Sequence, residues 1–375
     1  MSKNAKKQSF QFHPLELSIV GYSGVGKTTL IEKLIHDLKS KWSIAYVKHD
    51  AHRFQMDTEG KDTFRARASG ADAIFISDAT QSALVSGKPS FFLQKSLFLD
   101  QDAVLVEGYK SLSIPKLVVL GDDRAILDEI ENPESILAFI GGETSRPDYL
   151  ASHYPYIHRN DRDAICTLVE DFWMTKIKAR PLRALILAGG RSERMGRDKA
   201  LISYQDQPQF ARLYNELSEI NLNPVISLRA DQWPDLDLSP YSLLRDRFTG
   251  LGPLGGILTA LHDEGDTALL VVACDLPLLD KSTIQNLIVN RDPSKCATAY
   301  RSTTDGLPEP LCAIYEPKIK MRLHEALGLG LSCPRKVLLN TASHIIEAIS
   351  PQALANANTP DDYKRYANAF HEVHP

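Results

Sequence analysis

An α/β fold in two successive halves, each with a mostly parallel sheet covered by helices, is predicted by three features of the sequence. Short apolar runs recur with helical stretches between them, the alternation that produces strands joined by crossover helices. Two glycine-rich loops each follow such a run directly, Gly21–Thr28 early in the chain and Leu187–Lys199 near its middle. The length of 375 residues is enough for two or three domains of about 150 residues.

Taken in order, the strands expected in the first half are Glu16–Gly21, Ser43–Lys48, Ala73–Ser77, Ala103–Glu107 and Lys116–Gly121. Runs such as Val104-Leu105-Val106 have no polar alternation, as expected of strands covered on both faces. Behind the first loop, Leu30, Ile31, Leu34, Ile35 and Leu38 fall at helical spacing. Residues Asp161–Lys178 are also expected to be helical, with Ala164, Ile165, Leu168, Val169 and Phe172 on one stripe. The charged segment from Lys176 to Pro181 then precedes a new apolar run, Ala184–Leu187. We place the boundary near 178–182, giving domains 1–178 and 182–375 with little linker between them. The second half continues with a helix at Ile257–His262, a buried strand over Leu269–Pro277 that ends in an aspartate and a proline, and a helix at Lys281–Asn290.

Composition narrows the function. Lys plus Arg is 43 and Asp plus Glu is 47, a formal charge of −4, which argues against a nucleic-acid partner bound through a diffuse basic surface. No apolar run approaches the roughly 20 residues of a membrane helix, and the charged start Met1–Lys7 has no apolar segment behind it to make a signal peptide. The five cysteines, Cys166, Cys274, Cys296, Cys312 and Cys333, are odd in number and widely spaced. They read as reduced thiols of a cytoplasmic protein.

The first loop, Gly21-Tyr22-Ser23-Gly24-Val25-Gly26-Lys27-Thr28, matches the P-loop pattern at every specified position and lies between a strand and a helix. Backbone N–H groups across Gly24, Val25 and Gly26 would converge on phosphate oxygens at the helix N-terminus. Lys27 would reach the β- and γ-phosphates, and the Thr28 hydroxyl would join a Mg2+ shell. At the ends of later strands, Asp57 and Glu107 are candidates to hold that cation or its water. His49 and His52 form a pair without further ligands, which is more often structural or solvated than metal-binding.

The second loop is of another kind. Gly189 and Gly190 permit close backbone approach to a triphosphate, while Arg194 and Lys199 supply charge. Lys199 stands too far along to be a P-loop lysine, and would neutralise oxygens of the α-phosphate during attack. Asp246 precedes Gly250-Leu251-Gly252-Pro253-Leu254-Gly255-Gly256, and Cys274-Asp275-Leu276-Pro277 closes the buried strand. A carboxylate at that strand end suits Mg2+. Cys274 has no base beside it in the sequence and reads as a small core residue.

Several blocks of the first half together resemble one family, the GTP-binding accessory proteins of molybdopterin-guanine dinucleotide biosynthesis, over about residues 14–170. They are the P-loop, Lys48-His49-Asp50, Asp57-Thr58-x-Gly60-Lys61-Asp62 and Leu105-Val106-Glu107-Gly108-Tyr109-Lys110. The resemblance implies a P-loop NTPase-like domain that binds GTP, turns it over slowly and plays a supporting role. No Asn-Lys-x-Asp element is evident, so guanine preference here follows from the resemblance alone.

Residues 182–375 resemble the molybdenum cofactor guanylyltransferase family. The match rests on Leu-Ala-Gly-Gly-x-Ser-x-Arg-Met-Gly-x-Asp-Lys at 187–199, Gly-Pro-Leu-Gly-Gly at 252–256, Cys-Asp-x-Pro at 274–277, and Asn356-x-Asn358-Thr359-Pro360. This implies a Rossmann-like nucleotidyltransferase domain. Carried over by position, its GTP site is Leu187, Ala188, Gly189, Lys199, Asp246 and Asp275, with Mg2+ on Asp275. Ser227 stands where some members have asparagine and is left unassigned. The implied reaction joins GMP from GTP to molybdopterin, with or without its molybdenum, and releases pyrophosphate. Asp275, Lys199 and Arg194 would carry the catalysis. Asn356, Asn358 and Arg335 are candidates for the pterin side, and molybdoenzymes are the expected transient partners. Two other readings stay open: a cytidylyl or sugar-nucleotide transferase, and a GTP-responsive delivery module without transfer activity.

Overall fold

A computed structural model describes residues 11–48, 58–87, 97–98, 101–121, 124–190, 198–204 and 207–373. The chain divides into two compact units, Met1–Thr175 and Lys176–Pro375. The division falls in the last turn of the helix Arg162–Lys178.

The first unit contains β1 (Glu16–Val20), α1 (Lys27–Leu38), β2 (Ile44–Lys48), α2 (Asp62–Ala68), β3 (Ala73–Ser77), β4 (Ser82–Ser86) and β5 (Ala103–Glu107). It continues with β6 (Lys116–Val119), β7 (Ile136–Gly141), β8 (Tyr156–His158) and α3 (Arg162–Lys178). Six strands form a parallel sheet in the order β2-β5-β1-β6-β7-β8. β1 and β5 are fully buried at the middle of this sheet. Because β5 and β6 flank β1 on opposite sides, the loop after β1 opens at the crevice where α/β sheets bind ligands.

One expected strand lies elsewhere. Ala73–Ser77 does not join the parallel sheet but pairs antiparallel with β4 in a separate two-stranded ribbon. The turn explains it: Asp78 Oδ1 accepts from Thr80 N at 2.7 Å and Gln81 N at 2.9 Å, reversing the chain at once. So short a connection can only make a hairpin.

The second unit contains β9 (Leu182–Leu187), α4 (Gln209–Glu219), β10 (Val225–Leu228), β11 (Leu243–Arg245), α5 (Pro253–Asp263), β12 (Ala268–Ala273) and α6 (Lys281–Val289). Then come β13 (Ala297–Arg301), β14 (Pro308–Tyr315), α7 (Ile319–Gly328), α8 (Pro334–Leu339), β15 (Ser343–Ile346) and α9 (Pro360–Val373). Its seven strands run β11-β10-β9-β12-β14-β13-β15. All neighbours are parallel except β14, which is antiparallel to β12 and β13. Alternation along β9 divides the core: Ala184 and Ile186 pack with Phe210 and Leu213 of α4, Leu185 with Leu254, Ile257 and Leu258 of α5. Both sheet faces are thereby covered, and β9 ends at the switch between β10 and β12. Among the described residues no helix is long and apolar enough to cross a membrane.

Candidate active site and second nucleotide site

The C-terminal ends of β9, β10, β11 and β12 enclose a cavity of about 400 Å3. Leu187, Ala188, Gly189, Lys199, Asp246 and Asp275, the six residues carried over by position, all line it, and so do Gly190 and Cys274. Arg194 lies outside the described residues.

One wall is acidic and metal-suited. Asp275 follows β12, with Oδ2 at 4.0 Å from Lys199 Nζ. Its other oxygen, Oδ1, is buried with no hydrogen-bond partner, an arrangement that normally signals a missing cation or water. Burial pushes the carboxyl pKa up, and Lys199 opposes the shift. Among the described residues no three His, Cys, Asp or Glu side chains gather as a metal cluster. Asp275 Oδ1 offers the oxygen ligand that a hard divalent ion prefers. Lys199 Nζ also donates to Asn358 Oδ1 at 2.6 Å, so the closing segment reaches the lysine directly. Asn356 Oδ1 is buried without a partner. Arg335 is turned to Asp305 at 2.8 Å and Glu309 at 3.3 Å and does not line the cavity.

The opposite wall presents Asp246. Its Oδ1 accepts from Ser227 Oγ at 2.6 Å. Burial raises its pKa, while the Ser227 bond and the Arg229 charge oppose that. Gly189 lies close enough that a Cβ there would stand 3.3 Å from Asp246 Oδ2. Gly256 packs so tightly that an added Cβ would overlap Ser227 Oγ and stand 2.9 Å from Leu187 Cδ2. Gly252, with φ +56°, turns the chain into α5, whose N-terminal Pro253 borders the cavity. Burial pushes the Cys274 thiol well up, in keeping with a core residue.

Two residues without a role in the sequence also stand at the cavity, Ser227 and the motif residue Asp198. Asp198 lines the cavity and caps the short turn Lys199–Leu201 through Ala200 N at 3.1 Å. Its signal was visible: an aspartate directly before a lysine at a helical start is a capping position.

In the first unit the P-loop joins β1 to α1, with Gly24 and Gly26 at φ +81° and +96°. Lys27 Nζ donates back to Tyr22 O at 2.7 Å. Burial lowers its pKa, with Glu107 opposing. Thr28 Oγ1 lies 3.1 and 3.0 Å from the two Glu107 oxygens. Glu107 is placed by register, since β5 pairs Glu107 with Ile19 on one side and Lys48 on the other. Tyr46, which the sequence did not single out, donates its hydroxyl to Glu107 Oε2 at 2.6 Å. The Thr28–Glu107 pair is a hydroxyl and carboxylate of the type that shares a phosphate-bound cation. Asp57, His49 and His52 lie outside the described residues.

Comparison with known proteins gives two matches in chain order. The family described as molybdopterin guanine dinucleotide synthesis protein B matches residues 16–141, and the MobA-like NTP transferase domain matches residues 184–344. A molybdenum cofactor biosynthesis bifunctional protein of Synechocystis is 36% identical over 187 residues, 50% of this chain and 54% of that protein. The chain thus aligns with only about half the length of that relative. A molybdenum cofactor guanylyltransferase of Pseudomonas putida is 31% identical over 189 residues, 48% of this chain and 95% of that protein. Among solved structures, molybdopterin-guanine dinucleotide biosynthesis protein A of Archaeoglobus fulgidus gives a TM-score of 0.44 at 22% identity, covering 51% of this chain and 99% of its own. MobB of Bacillus subtilis gives 0.36 at 24% identity, covering 43% and 97%.

Proposed function

We propose the following function for this chain, which belongs to the molybdenum cofactor guanylyltransferase family: residues 182–375 transfer GMP from GTP to molybdopterin, yielding molybdopterin guanine dinucleotide and pyrophosphate. Residues 1–178 bind GTP at the P-loop and assist. The observation that carries the reading is the meeting of Leu187, Ala188, Gly189, Lys199, Asp246 and Asp275 around one cavity.

A terminal phosphate oxygen of the pterin attacks the α-phosphorus of GTP in line. The new P–O bond forms as the bond to the β-phosphate breaks, and pyrophosphate leaves with the electron pair. The nucleophile is already ionised near neutral pH, so no general base is required. The protein supplies position and charge. Gly189 and Gly190 let the backbone close on the triphosphate, and Lys199 neutralises oxygens at the reacting phosphorus. Arg194 adds positive charge from the same loop. Asp246 is an acceptor suited to guanine, whose Watson–Crick edge carries adjacent N–H donors. Asp275 would hold Mg2+, which supplies neutralisation of the triphosphate when bound. In the first unit Thr28 and Glu107 would serve a second Mg2+ beside the P-loop phosphates, with Lys27 on the β- and γ-phosphates. Five free cysteines, three of them buried, fit a reducing cytoplasm. Transient contact with molybdoenzymes that accept the product completes the proposal.

Pyrophosphate release from Mg·GTP by the full chain, with purified molybdopterin, tests it. Asp275→Ala should lower turnover by roughly a hundredfold or more while the protein remains folded. Near wild-type synthesis by Asp275→Ala would sink the assignment. Equal release from CTP would favour the cytidylyl reading, and none from either nucleotide would leave a sugar-nucleotide transferase or a delivery module.

A further inference from the structure

One short segment behind the glycine pair grips both ends of the phosphate loop. Gln232, only 4% exposed, donates Nε2 to Ala188 O at 2.8 Å and to Asp198 Oδ2 at 3.0 Å. Trp233 Nε1 donates to the same Asp198 oxygen at 2.7 Å. Arg229 NH1 reaches Gly189 O at 2.5 Å and Gly190 O at 3.1 Å. Arg245 ties the segment down from the end of β11, bonding Arg229 O at 2.8 Å and Gln232 O at 3.1 Å. Residues 188–190 and residue 198 are thus held from one side by consecutive turns of chain after β10.

Trp233 adopts φ +56°, a region that a bulky L-residue occupies only under constraint. Two contacts hold it there, the indole bond to Asp198 and a tilted packing on Phe210 at 4.9 Å between ring centroids. Backbone outliers of this sort gather where geometry serves a site. Here the beneficiary is adjacent. Asp198 borders the nucleotide cavity and precedes Lys199, whose short turn it caps. With Gln232, Trp233 and Ala200 all donating to it, its negative charge is engaged away from the phosphates. Without those donors the carboxylate would face an incoming triphosphate or pull the Lys199 ammonium toward itself.

We propose that Gln232 and Trp233 are positioning residues of the transferase site, fixing Lys199 through Asp198 and the backbone of the glycine pair through Ala188. This rests on the transferase reading given above.

Trp233→Phe keeps the ring against Phe210 and removes only the donor. It should lower kcat about tenfold with KM for GTP changed less than about threefold, because Lys199 acts chiefly on charge that develops in the transition state. Gln232→Leu should lower kcat similarly and also raise KM several-fold, since it releases Ala188 as well. Amide hydrogen exchange on the full chain without substrate gives a readout independent of turnover. Exchange should quicken at 198–204 in Trp233→Phe, at both 182–190 and 198–204 in Gln232→Leu, and nowhere in 281–289. Unchanged kcat and unchanged exchange at 198–204 in Trp233→Phe would overturn the proposal. So would exchange quickened equally at 281–289, which would make these residues determinants of folding. If the wild-type chain made no dinucleotide, the transferase reading would fail, and the exchange pattern would still decide whether the clamp exists.

Discussion

Gly256→Ala is the sharpest structural test of the Asp246 wall as the proposed guanine side of the site. A Cβ at this position would overlap Ser227 Oγ, and it would stand 2.9 Å from Leu187 Cδ2 and 3.3 Å from Ser227 Cβ. Leu187 and Ser227 both sit on strands of the fully packed sheet, so neither backbone can retreat. The Ser227 hydroxyl must rotate away, and the 2.6 Å bond to Asp246 is lost with it. Overpacking of this kind costs about 1–3 kcal/mol. Losing a hydrogen bond to a carboxylate costs about 1.5–3 kcal/mol. Replacing glycine inside a helix returns roughly 0.5–1 kcal/mol. The balance is a loss of about 2–5 kcal/mol, or roughly 10 °C in Tm for a unit of this size at 2–4 °C per kcal/mol. Calorimetry of the full chain should show that drop, and KM for GTP should rise about tenfold because Asp246 is no longer aimed. The double variant Ser227→Ala/Gly256→Ala removes the overlapped atom. It should recover on the order of 1 kcal/mol relative to Gly256→Ala while KM stays high. A single variant with wild-type Tm and KM, or a double variant less stable than the single, would refute the reasoning.

Two further outcomes follow from the charges. In the proposed site Asp246 accepts from guanine only when ionised, and burial raises its pKa; GTP affinity should therefore be full at high pH and weaken as pH falls toward that raised value. Ser227→Ala removes an opposing hydrogen bond, so its loss of affinity should begin at higher pH than wild type, and superimposable profiles of KM against pH would contradict this. Lys27→Ala should abolish or greatly weaken GTP binding at the P-loop, read by equilibrium dialysis on the full chain as the loss of one of two sites. Dinucleotide synthesis from free substrates should survive in the same variant, and its disappearance would show that the first unit takes part in transfer.

What the sequence disclosed and withheld has a physical pattern. Gly24, Gly26, Lys27 and Thr28 were legible because a P-loop is contiguous: strand end, turn and helix start all lie within about ten residues. Asp275 was legible because an aspartate closing an unbroken apolar run falls at the rim of a buried parallel strand. Gln232, Trp233 and Tyr46 were not, because each acts on a partner remote in the chain, and only β-register brings them together. The direction of β14 was equally hidden. Leu311–Tyr315 is apolar in either orientation, and only its pairing with β12 shows it to be antiparallel. Ala73–Ser77 misled for the converse reason: its composition suits a core strand, yet the Asp78 turn pairs it locally before the sheet can claim it.

The placement of the two lysines explains how similar materials can serve different bonds of one nucleotide. Each candidate site combines a strand end, glycines that permit close backbone approach and a carboxylate from a neighbouring strand. Lys27 is the first residue of α1, directly behind Gly26. Its ammonium bonds back to Tyr22 O of the same loop, where in the proposed function it would meet the outer phosphates. Lys199 comes ten residues after Gly189, on a turn capped by Asp198, and stands 4.0 Å from the Asp275 carboxylate across the cavity. Positive charge there, together with a cation on Asp275, would bracket an inner phosphorus and leave the outer two phosphates free to depart together. In the P-loop region the carboxylate, Glu107, instead pairs with the Thr28 hydroxyl. In the proposed function, the longer spacer between glycine and lysine would move the strongest field from the end of the triphosphate chain to its root, separating the holding of GTP from the transfer of GMP.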